Sequence, residues 1–220
     1  MPAEIERLRE LLLAAAAGLG LDLPADRAAT LLGYLALLQR WNATYNLTSV
    51  RDPEQMLTQH LADSLAVVEP LRRRLAEGRR PRLLDVGSGA GLPGLVLAVM
   101  LPELDVTCVD TVGKKAAFVR QAAGELRLTN LRSEHGRVEQ IQLAPMDVIA
   151  SRAFASLADF VALTAKHLAA GGTWLAMKGK RPDDEMATLP LTVAVDTIET
   201  LTVPGLGAKR CIVWLKPKVT

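Results

Sequence analysis

The chain is poor in aromatic residues, cysteine and long apolar runs, and each shortage argues against a class of protein. Phe, Trp and Tyr make up only 4% of the 220 residues, so Leu, Ala and Val must supply the core. The two cysteines, Cys108 and Cys211, stand in apolar, strand-like runs, which indicates buried thiols in a reducing compartment and neither disulfides nor a metal site. The apolar run from Leu11 to Leu21 has about half the length of a membrane-spanning helix. It also follows three glutamates, unlike a signal peptide, so we predict a cytoplasmic protein without a membrane contact.

An excess of charge of one sign is also missing. The formal net charge is only +2 at pH 7. This value permits a nucleic-acid partner without requiring one, because local patches of charge matter more than the sum. Half of the residues are hydrophobic and 23% are charged, a balance typical of a folded globular protein. The length suits one domain with an extension.

Residues 1–80 are predicted to form a helical N-terminal extension. Apolar residues at helical spacing predict one helix over Glu4–Ala17 and a second that begins at Pro24. The pair Asp52-Pro53 is typical of the start of a third helix, with an N-cap followed by proline. The polar segment Asn42–Ser49 interrupts the pattern and is predicted to be a loop.

Residues 81–220 alternate short apolar runs with helical segments, which predicts an α/β domain built on a mostly parallel seven-stranded sheet. The predicted strands are Leu83–Val86, Val106–Val109, Leu131–His135, Asp147–Ala150, Trp174–Met177, Val193–Leu201 and Cys211–Leu215. The predicted helices are Gly91–Leu101, Gly113–Leu126 and Leu157–Ala169. The last two strands are joined through a short segment with Pro204 and two glycines, which indicates an antiparallel end to the sheet. We expect the extension and this domain to form one structural unit.

A glycine-rich segment, Asp85 to Gly94, follows the first predicted strand and opens a helix, which is where a doubly wound sheet binds its ligand. Asp110 lies at the end of the next strand, where a carboxylate is placed to bind the ribose hydroxyls of an adenosine. Three interpretations compete: a tight turn without a ligand, a dinucleotide site, and a site for S-adenosylmethionine. Asp85 favours the third, because a carboxylate at the mouth of the loop would repel a pyrophosphate and attract an amino group or a sulfonium. The chain also lacks a second domain for a hydride acceptor.

The sequence contains fewer indications of which atom accepts the methyl group. Enzymes that methylate exocyclic adenine amines often carry Asn or Asp before two prolines and an aromatic residue after the fourth strand, whereas Ser151-Arg152-Ala153-Phe154 stands there. Methylation of a pyrimidine carbon requires a reactive cysteine, and Cys108 and Cys211 both look structural. The N7 atom of guanine has a free lone pair and no proton to remove. The lack of an obvious general base is consistent with N7 chemistry but does not select it.

Several motifs in one order and spacing resemble the RsmG family, the ribosomal RNA small-subunit methyltransferases G, also called glucose-inhibited division protein B. These motifs are Trp41-Asn42, Tyr45-Asn46-Leu47-Thr48, His60, Asp63-Ser64, Asp85–Gly94, Gly113-Lys114-Lys115, Gly136-Arg137-Val138-Glu139, Ser151–Ser156 and Lys178-Gly179. The resemblance implies a class I, Rossmann-like, S-adenosylmethionine-dependent methyltransferase with a helical extension. It further implies methylation of guanine N7 in 16S ribosomal RNA of the small subunit. We expect a monomer without an obligate protein partner.

The cofactor-binding residues come from both lines of argument. The loop and strand pattern points to Asp85, Gly87, Gly89 and Asp110. The resemblance adds a second set, in which Val138 and Glu139 would flank the adenine. That set is Gly87, Leu92, Val138, Glu139 and Arg152.

No residue is predicted to act as a catalytic acid or base, but four are candidates for positioning the substrate. Arg137, Arg152 and Lys178 leave strand ends at the ligand edge, where they would contact phosphate or guanine. The alternative for Arg137 and Lys178 is a solvated charge, and the alternative for Arg152 is a cap on neighbouring carbonyls. His60 is either a structural histidine or a residue on the substrate side. The basic run around Arg72–Arg74 is either an RNA-facing patch or a solvated helix face.

Two other functions remain open at this point. A nicotinamide-dependent oxidoreductase would use the same glycine pattern for a dinucleotide. A non-catalytic RNA-binding or cell-division factor would keep the fold without turnover, and it would bind RNA in a strongly salt-dependent way.

Overall fold

The computed structural model describes residues 2–75 and 80–218. The strands are β1 Arg82–Val86, β2 Asp105–Asp110, β3 Leu131–His135, β4 Met146–Arg152, β5 Leu168–Lys178, β6 Val193–Leu201 and β7 Arg210–Pro217. The helices are α1 Pro2–Gly18, α2 Ala25–Tyr45, α3 Pro53–Met56, α4 Asp63–Leu65, α5 Val68–Arg72, α6 Gly94–Met100, α7 Gly113–Glu125, α8 Leu157–Thr164 and α9 Asp183–Ala187. A π-helical turn, Leu57–Ala62, joins α3 to α4, and a 3-10 turn, Ala165–His167, follows α8. None of the described helices is long and apolar enough to cross a membrane.

The seven strands form one sheet in the order β3-β2-β1-β4-β5-β7-β6. Strands β1 to β5 run parallel, whereas β7 is antiparallel to both β5 and β6. The prediction of a mostly parallel sheet with an antiparallel end is confirmed. The order reverses beside β1, because β2 and β4 lie on its two sides, and such a reversal opens a crevice at the carboxyl ends of the strands.

Both faces of the sheet are covered, as the continuous apolar strands require. Leu83 and Cys108 pack on one face in the same apolar cluster as residues of α1, α2, α6 and α7. Leu84 and Ile149 pack on the opposite face with residues of α8. The helices of the N-terminal segment therefore share a core with the sheet, and α2 contacts both α6 and α7.

The predicted loop Asn42–Ser49 is wrong at its start, since α2 continues to Tyr45. Asn42 is only 2% exposed. Its amide nitrogen donates to the Val50 carbonyl at 3.2 Å, and its amide oxygen accepts from the Thr48 N–H at 2.9 Å. The helix can bury this polar side chain because the following turn supplies its hydrogen bonds.

Two helix boundaries in the sheet region also differ from the prediction. Helix α6 begins at Gly94 rather than Gly91, because Gly91 has a φ of +87°. Helix α8 ends at Thr164, and β5 begins already at Leu168. The strand passes through Gly171, whose φ of +75° is accessible to glycine, so the glycines at 171–172 bend the strand where the sequence suggested its boundary.

The third helix begins as predicted, because the Asp52 side chain accepts the Gln55 N–H at 2.8 Å. It then widens into the π-helical turn, which nothing in the sequence pattern signals. Within that turn the Asp63 N–H bonds to the Thr58 carbonyl, five residues earlier. Such turns are common at functional sites, and this one carries His60 toward the carboxyl edge of the sheet.

Candidate functional site

A cavity of about 620 Å³ opens at the carboxyl edge of the sheet, beside β1. Most of its walls come from the glycine loop after β1, the ends of β4 and β5 with the residues that follow them, and the segment between residues 47 and 63. Lys115 of α7 and Arg210 of β7 complete the lining. A volume of this size suits a cofactor-sized ligand. The helical extension thus forms one wall of the candidate site.

The glycine loop exposes its backbone to this cavity. Gly87 and Gly89 have φ values of +66° and +58°, which strain any other residue. A Cβ added to Gly87 would lie 2.7 Å from the Phe154 ring, whereas one added to Gly89 would meet no atom within 4 Å. Phe154 therefore packs directly against the loop, while Gly89 borders open space.

Asp110 fixes the loop through both of its carboxylate oxygens. Oδ2 accepts the Gly89 N–H at 2.9 Å, and Oδ1 accepts the Val112 N–H at 2.8 Å. Asp110 is 7% exposed. Because each carboxylate oxygen has two lone pairs, the side chain can hold the loop and still accept from a ligand hydroxyl.

Asp85 lies behind the glycine loop and not at its mouth, which corrects the electrostatic argument made from the sequence. It is fully buried, and its Oδ2 accepts the Gly94 N–H at 2.8 Å. Its Oδ1 has no hydrogen-bond partner among the described residues. Burial raises the pKa of Asp85 to about 7, although the Gly94 N–H opposes this shift. Asp85 therefore supports the loop from its buried side.

Tyr34 braces the same loop from the N-terminal extension. Its hydroxyl donates to the Ala90 carbonyl at 2.9 Å, and the residue is fully buried. Its ring packs near Phe118, which in turn lies 5.5 Å from Trp41 between ring centroids. No sequence pattern indicates this contact, since Tyr34 stands among apolar residues at helical spacing.

Arg152 lines the cavity and is held by the N-terminal segment. Its Nη1 donates to the Gln59 carbonyl at 2.9 Å and to Asp63 Oδ2 at 3.1 Å. The other oxygen of Asp63 accepts from Arg210 Nε at 2.7 Å. Asp63 is 2% exposed, so one buried carboxylate joins two arginines that come from β4 and β7. Arg210 begins β7 and reaches the cavity from the loop that joins the last two strands.

His60 also lines the cavity, with its Nε2 atom 3.0 Å from Thr48 Oγ1. Its Nδ1 has no partner among the described residues. Burial lowers the pKa of His60, and the positive charge of Arg152 lowers it further. The imidazole is therefore neutral at neutral pH. The structure places His60 on the candidate substrate side while also giving it a structural partner.

Lys178 lines the cavity, but Arg137 does not. The Lys178 ammonium donates to both carboxylate oxygens of Glu185, at 3.0 and 2.7 Å. Arg137 has a side chain that is 68% exposed and stands 3.6 Å from Glu139. Of the four positioning candidates, the structure brings His60, Arg152 and Lys178 together and leaves Arg137 outside.

Val138 and Glu139 follow β3, and their backbone is firmly held. His167 Nε2 donates to the Val138 carbonyl at 2.8 Å, and Lys166 donates to the Glu139 carbonyl at 2.8 Å. Val138 is 4% exposed and belongs to the core. These contacts fix a rigid edge after β3, but neither residue lines the cavity described above. Leu92 does line it.

The basic run of the sequence is largely neutralised within the protein. Arg73 pairs with Glu199 at 2.7 Å, and Arg74 pairs with Asp196 at 2.7 Å. Arg74 also stacks over Trp214, with 4.3 Å from its guanidinium carbon to the ring centroid. Arg79, which belongs to the same run, lies outside the described residues. The contacts of Arg73 and Arg74 favour a role in attaching α5 to β6 and β7.

Comparison with known proteins gives a consistent match. A family model described as rRNA small subunit methyltransferase G (GidB) matches residues 27–213. A protein named ribosomal RNA small subunit methyltransferase G from Acidovorax sp. (strain JS42) is 60% identical over 206 residues, covering 90% of this chain and 91% of that protein. The same name belongs to a relative from Paracidovorax citrulli that is 54% identical over 228 residues, covering 99% and 93%.

Solved structures show the same fold at low sequence identity. One of them is from Methanococcus maripaludis and is named a putative S-adenosyl-L-methionine-dependent methyltransferase. It is 15% identical to this chain, has a TM-score of 0.56, and the match covers 76% of this chain and 90% of that one. The fold is thus that of class I S-adenosylmethionine-dependent methyltransferases. The family match selects the methyl-donor interpretation of the glycine loop over the dinucleotide interpretation. Among the described residues, no cluster of His, Cys, Asp or Glu side chains could hold a metal ion.

Proposed function

The chain belongs to the rRNA small subunit methyltransferase G family, and from this we propose that it transfers a methyl group from S-adenosylmethionine to N7 of a guanine in 16S ribosomal RNA. The observation that carries the proposal is that the glycine loop and the Arg152–Asp63–Arg210 group border one cavity. A cofactor on the loop and a nucleotide at the arginines would therefore lie side by side.

The residues around the loop fit the cofactor. Gly89 borders open space where a Cβ would meet nothing, so a ligand can approach the main chain closely at this position. In our proposal Gly87, Gly89 and Leu92 contact the cofactor, Asp110 accepts from its ribose, and Val138 and Glu139 flank its adenine. Arg152 borders the same space, whereas Asp85 acts from behind the loop. When bound, S-adenosylmethionine supplies an electrophilic methyl group on a positively charged sulfur.

Transfer to N7 requires orientation and a tolerant electrostatic environment, but no proton acceptor. The guanine lone pair would attack the methyl carbon in line with its bond to sulfur. That bond would break with its electrons on sulfur, so the guanine ring would gain the positive charge that the sulfonium loses. His60 is neutral because burial lowers its pKa, so it adds no opposing charge. Asp63 offsets one of the two arginines. The protein thus orients the base while limiting the positive charge that faces the product.

We assign substrate contacts to the cationic side chains around the cavity. The cationic residues that line it directly are Lys115, Arg152, Lys178 and Arg210. Arg137 lies outside and would contact RNA backbone beyond the target nucleotide. Lys180 and Lys209 are exposed near the same edge, and neither has an ion-pair partner in the described part of the chain. Such lysines suit phosphate contacts.

The division into an extension of residues 1–80 and a methyltransferase domain of residues 81–220 stays a proposal, with both parts acting as one unit. Their shared core supports it, as does the bond from Tyr34 to the glycine loop. We further propose that the protein acts as a monomer in the cytoplasm on the small subunit or its RNA, without an obligate protein partner. Sedimentation of the purified protein at assay concentration would contradict a monomer if it gave a dimer mass.

Methyl transfer to purified small subunits and to bare 16S RNA tests the proposal. The protein is supplied with methyl-labelled S-adenosylmethionine, and labelled sites are mapped by cleavage at N7-methylguanine. We expect label at a single guanine. The Gly87→Asp variant should abolish it, because the new side chain is strained and meets Phe154 at the loop. Gly20→Asp is the matched control, since Gly20 has a φ of +67° and open space around it, away from the cavity. A folded protein that binds the cofactor and labels neither substrate would contradict the RNA assignment.

A further inference from the structure

We propose that Asp63 is a positioning residue that holds Arg152 and Arg210 in the orientation required for methyl transfer. This proposal rests on the function proposed above. Asp63 does not itself contact substrate; it acts through the two arginines that line the cavity with it.

The geometry is a bridge between three distant parts of the chain. Asp63 begins α4, Arg152 ends β4, and Arg210 begins β7. One carboxylate oxygen accepts from Arg152 at 3.1 Å and the other from Arg210 at 2.7 Å. Because each oxygen serves a different arginine, a shift of the carboxylate would move both guanidinium groups.

Burial makes this bridge stiff. The Asp63 side chain is 2% exposed, whereas those of Arg152 and Arg210 are 23% and 25% exposed. The carboxylate is therefore shielded from water, and the arginines still reach the cavity. A guanidinium has five N–H donors, of which Arg152 uses one nitrogen for Asp63 and Gln59. Arg210 uses Nε for Asp63 and Nη1 for the Lys209 carbonyl at 3.0 Å. Each arginine therefore keeps a second guanidinium nitrogen that can donate to a nucleotide while the side chain stays in place.

Charge also favours a positioning role over simple neutralisation. Two arginines and one aspartate give this three-residue group a net charge of +1. An RNA phosphate placed there would complete the balance. Without Asp63 the two like charges would repel each other and rotate toward solvent, so the same donors would be present but no longer aimed at one point.

The alternative is that Asp63 only fastens the helical extension to the sheet. Substitution would then lower stability, cofactor affinity and turnover together. A positioning residue instead affects kcat more than the KM for RNA or the affinity for S-adenosylhomocysteine, because ground-state binding survives while the alignment for attack is lost.

Asp63→Asn distinguishes the two cases. We expect kcat for methyl transfer to 16S RNA to fall by about 100-fold, the scale of a misaligned reacting group. The KM for RNA and the Kd for S-adenosylhomocysteine should each change by less than about threefold, which corresponds to a small change in binding free energy. The matched control is Asp196→Asn, because Asp196 also bridges two cations, Arg74 and Lys216, but lies away from the cavity. It should leave kcat unchanged.

Asp63→Glu keeps the carboxylate and covers the case in which the asparagine variant does not fold. It should fold, with some loss of thermal stability because the longer side chain enters a packed site, and its kcat should fall by about tenfold, since the charge is present but displaced by one methylene. A folded glutamate variant with wild-type kcat would overturn the proposal. So would an asparagine variant whose kcat and S-adenosylhomocysteine affinity fall in parallel.

A double-mutant cycle with Arg210→Gln adds an independent readout. If Asp63 acts through this arginine, the double variant should lose little more kcat than the worse single variant, whereas independent roles would give multiplicative losses. Multiplicative losses for both Arg210→Gln and Arg152→Gln would overturn the proposal. Wild-type protein that transfers no methyl group to RNA would instead contradict the proposed function, and the two failures are therefore distinguishable.

Discussion

At the scale of single residues, the tyrosine in α2 shows how the N-terminal helices support the glycine loop. Tyr34→Phe removes the donor to the Ala90 carbonyl. A buried acceptor left without a partner costs roughly 1–3 kcal/mol, so we expect a loss of that size in the free energy of unfolding. The Kd for S-adenosylhomocysteine should also rise, because the loop loses its brace. Urea unfolding and calorimetric titration measure the two effects. Tyr45→Phe is the control, since Tyr45 is 44% exposed, and equal effects from both variants would refute the prediction.

The buried carboxyl behind the loop predicts a pH-dependent stability. The pKa of Asp85 is raised from 3.8 to about 7, chiefly by burial. The folded protein therefore holds the proton more tightly than the unfolded chain. The resulting stabilisation is full below pH 4 and is lost as the pH rises to 7. Wild type should lose up to roughly 4 kcal/mol relative to Asp85→Asn across this window, from a shift of about three pKa units. The free energy of unfolding of both proteins is measured with urea at pH 5 and at pH 8. A difference between wild type and Asp85→Asn that is the same at both pH values would contradict the prediction.

The residue scale is also where the sequence predicted least. Gly87 and Gly89 were identifiable because the turn after a buried strand requires a left-handed backbone, which favours glycine and depends only on neighbouring residues. Asp63 was visible only as part of a resemblance, and Tyr34 gave no signal at all. Their partners lie 89, 147 and 56 positions away in the chain. Such contacts depend on how helices pack on the sheet, which periodicity does not specify.

At the scale of elements, variants of the glycine loop allow the effect of backbone strain to be measured separately from the effect of ligand contact. Gly89→Ala should destabilise the protein by about 1–2 kcal/mol, the cost of a left-handed alanine, and it should also weaken S-adenosylhomocysteine binding because its methyl group points into open space at the cavity. Gly171→Ala is the matched control, with a φ of +75° and nothing within 4 Å of its added Cβ. It lies in β5 away from the cavity, so it should cost similar stability and leave the cofactor affinity unchanged. Equal affinities for the two variants would argue against a cofactor on the loop.

Element types were predicted more reliably than element ends. All seven strands were identifiable because buried parallel strands form compact apolar runs. The ends failed where tertiary contacts outweighed local preference. Asn42 belongs in a helix because Thr48 and Val50 satisfy its amide, and the π-helical turn at 57–62 depends on what surrounds it. Neither cause is present in a short window of sequence.

At the scale of the whole molecule, we expect the extension and the sheet to unfold as one cooperative unit. The three tryptophans allow a direct test. Trp41 reports on α2, whereas Trp174 and Trp214 report on the sheet. A Trp41→Phe protein and a Trp174→Phe/Trp214→Phe protein should each show one urea transition by fluorescence, and each should match its own transition by circular dichroism. A fluorescence transition that precedes the dichroism change in either protein would indicate two separate units.

The overall charge of +2 implies that RNA affinity depends on where the free cations lie. Lys180→Gln/Lys209→Gln should weaken RNA binding and lower the slope of log K against log salt by about one to two, since each phosphate contact contributes about 0.7–0.9. The control Arg72→Gln/Arg73→Gln removes the same charge from side chains already paired with Glu69 and Glu199. RNA binding is measured for both double variants between 50 and 200 mM salt, about the range over which such contacts respond. If the control variant changed the slope as much as the lysine variant does, the assignment of Lys180 and Lys209 to phosphate contacts would be refuted.

The order of strands has a consequence for the chain while it is still being synthesised. Among the described strands, β6 pairs with β7 alone, and β7 is made after it. Until residues 210–217 leave the ribosome, both β5 and β6 present open hydrogen-bonding edges, and open edges promote association between chains. Arg210 stands in that same segment, so the nascent enzyme acquires its complete sheet and the last wall of its cavity in a single late step.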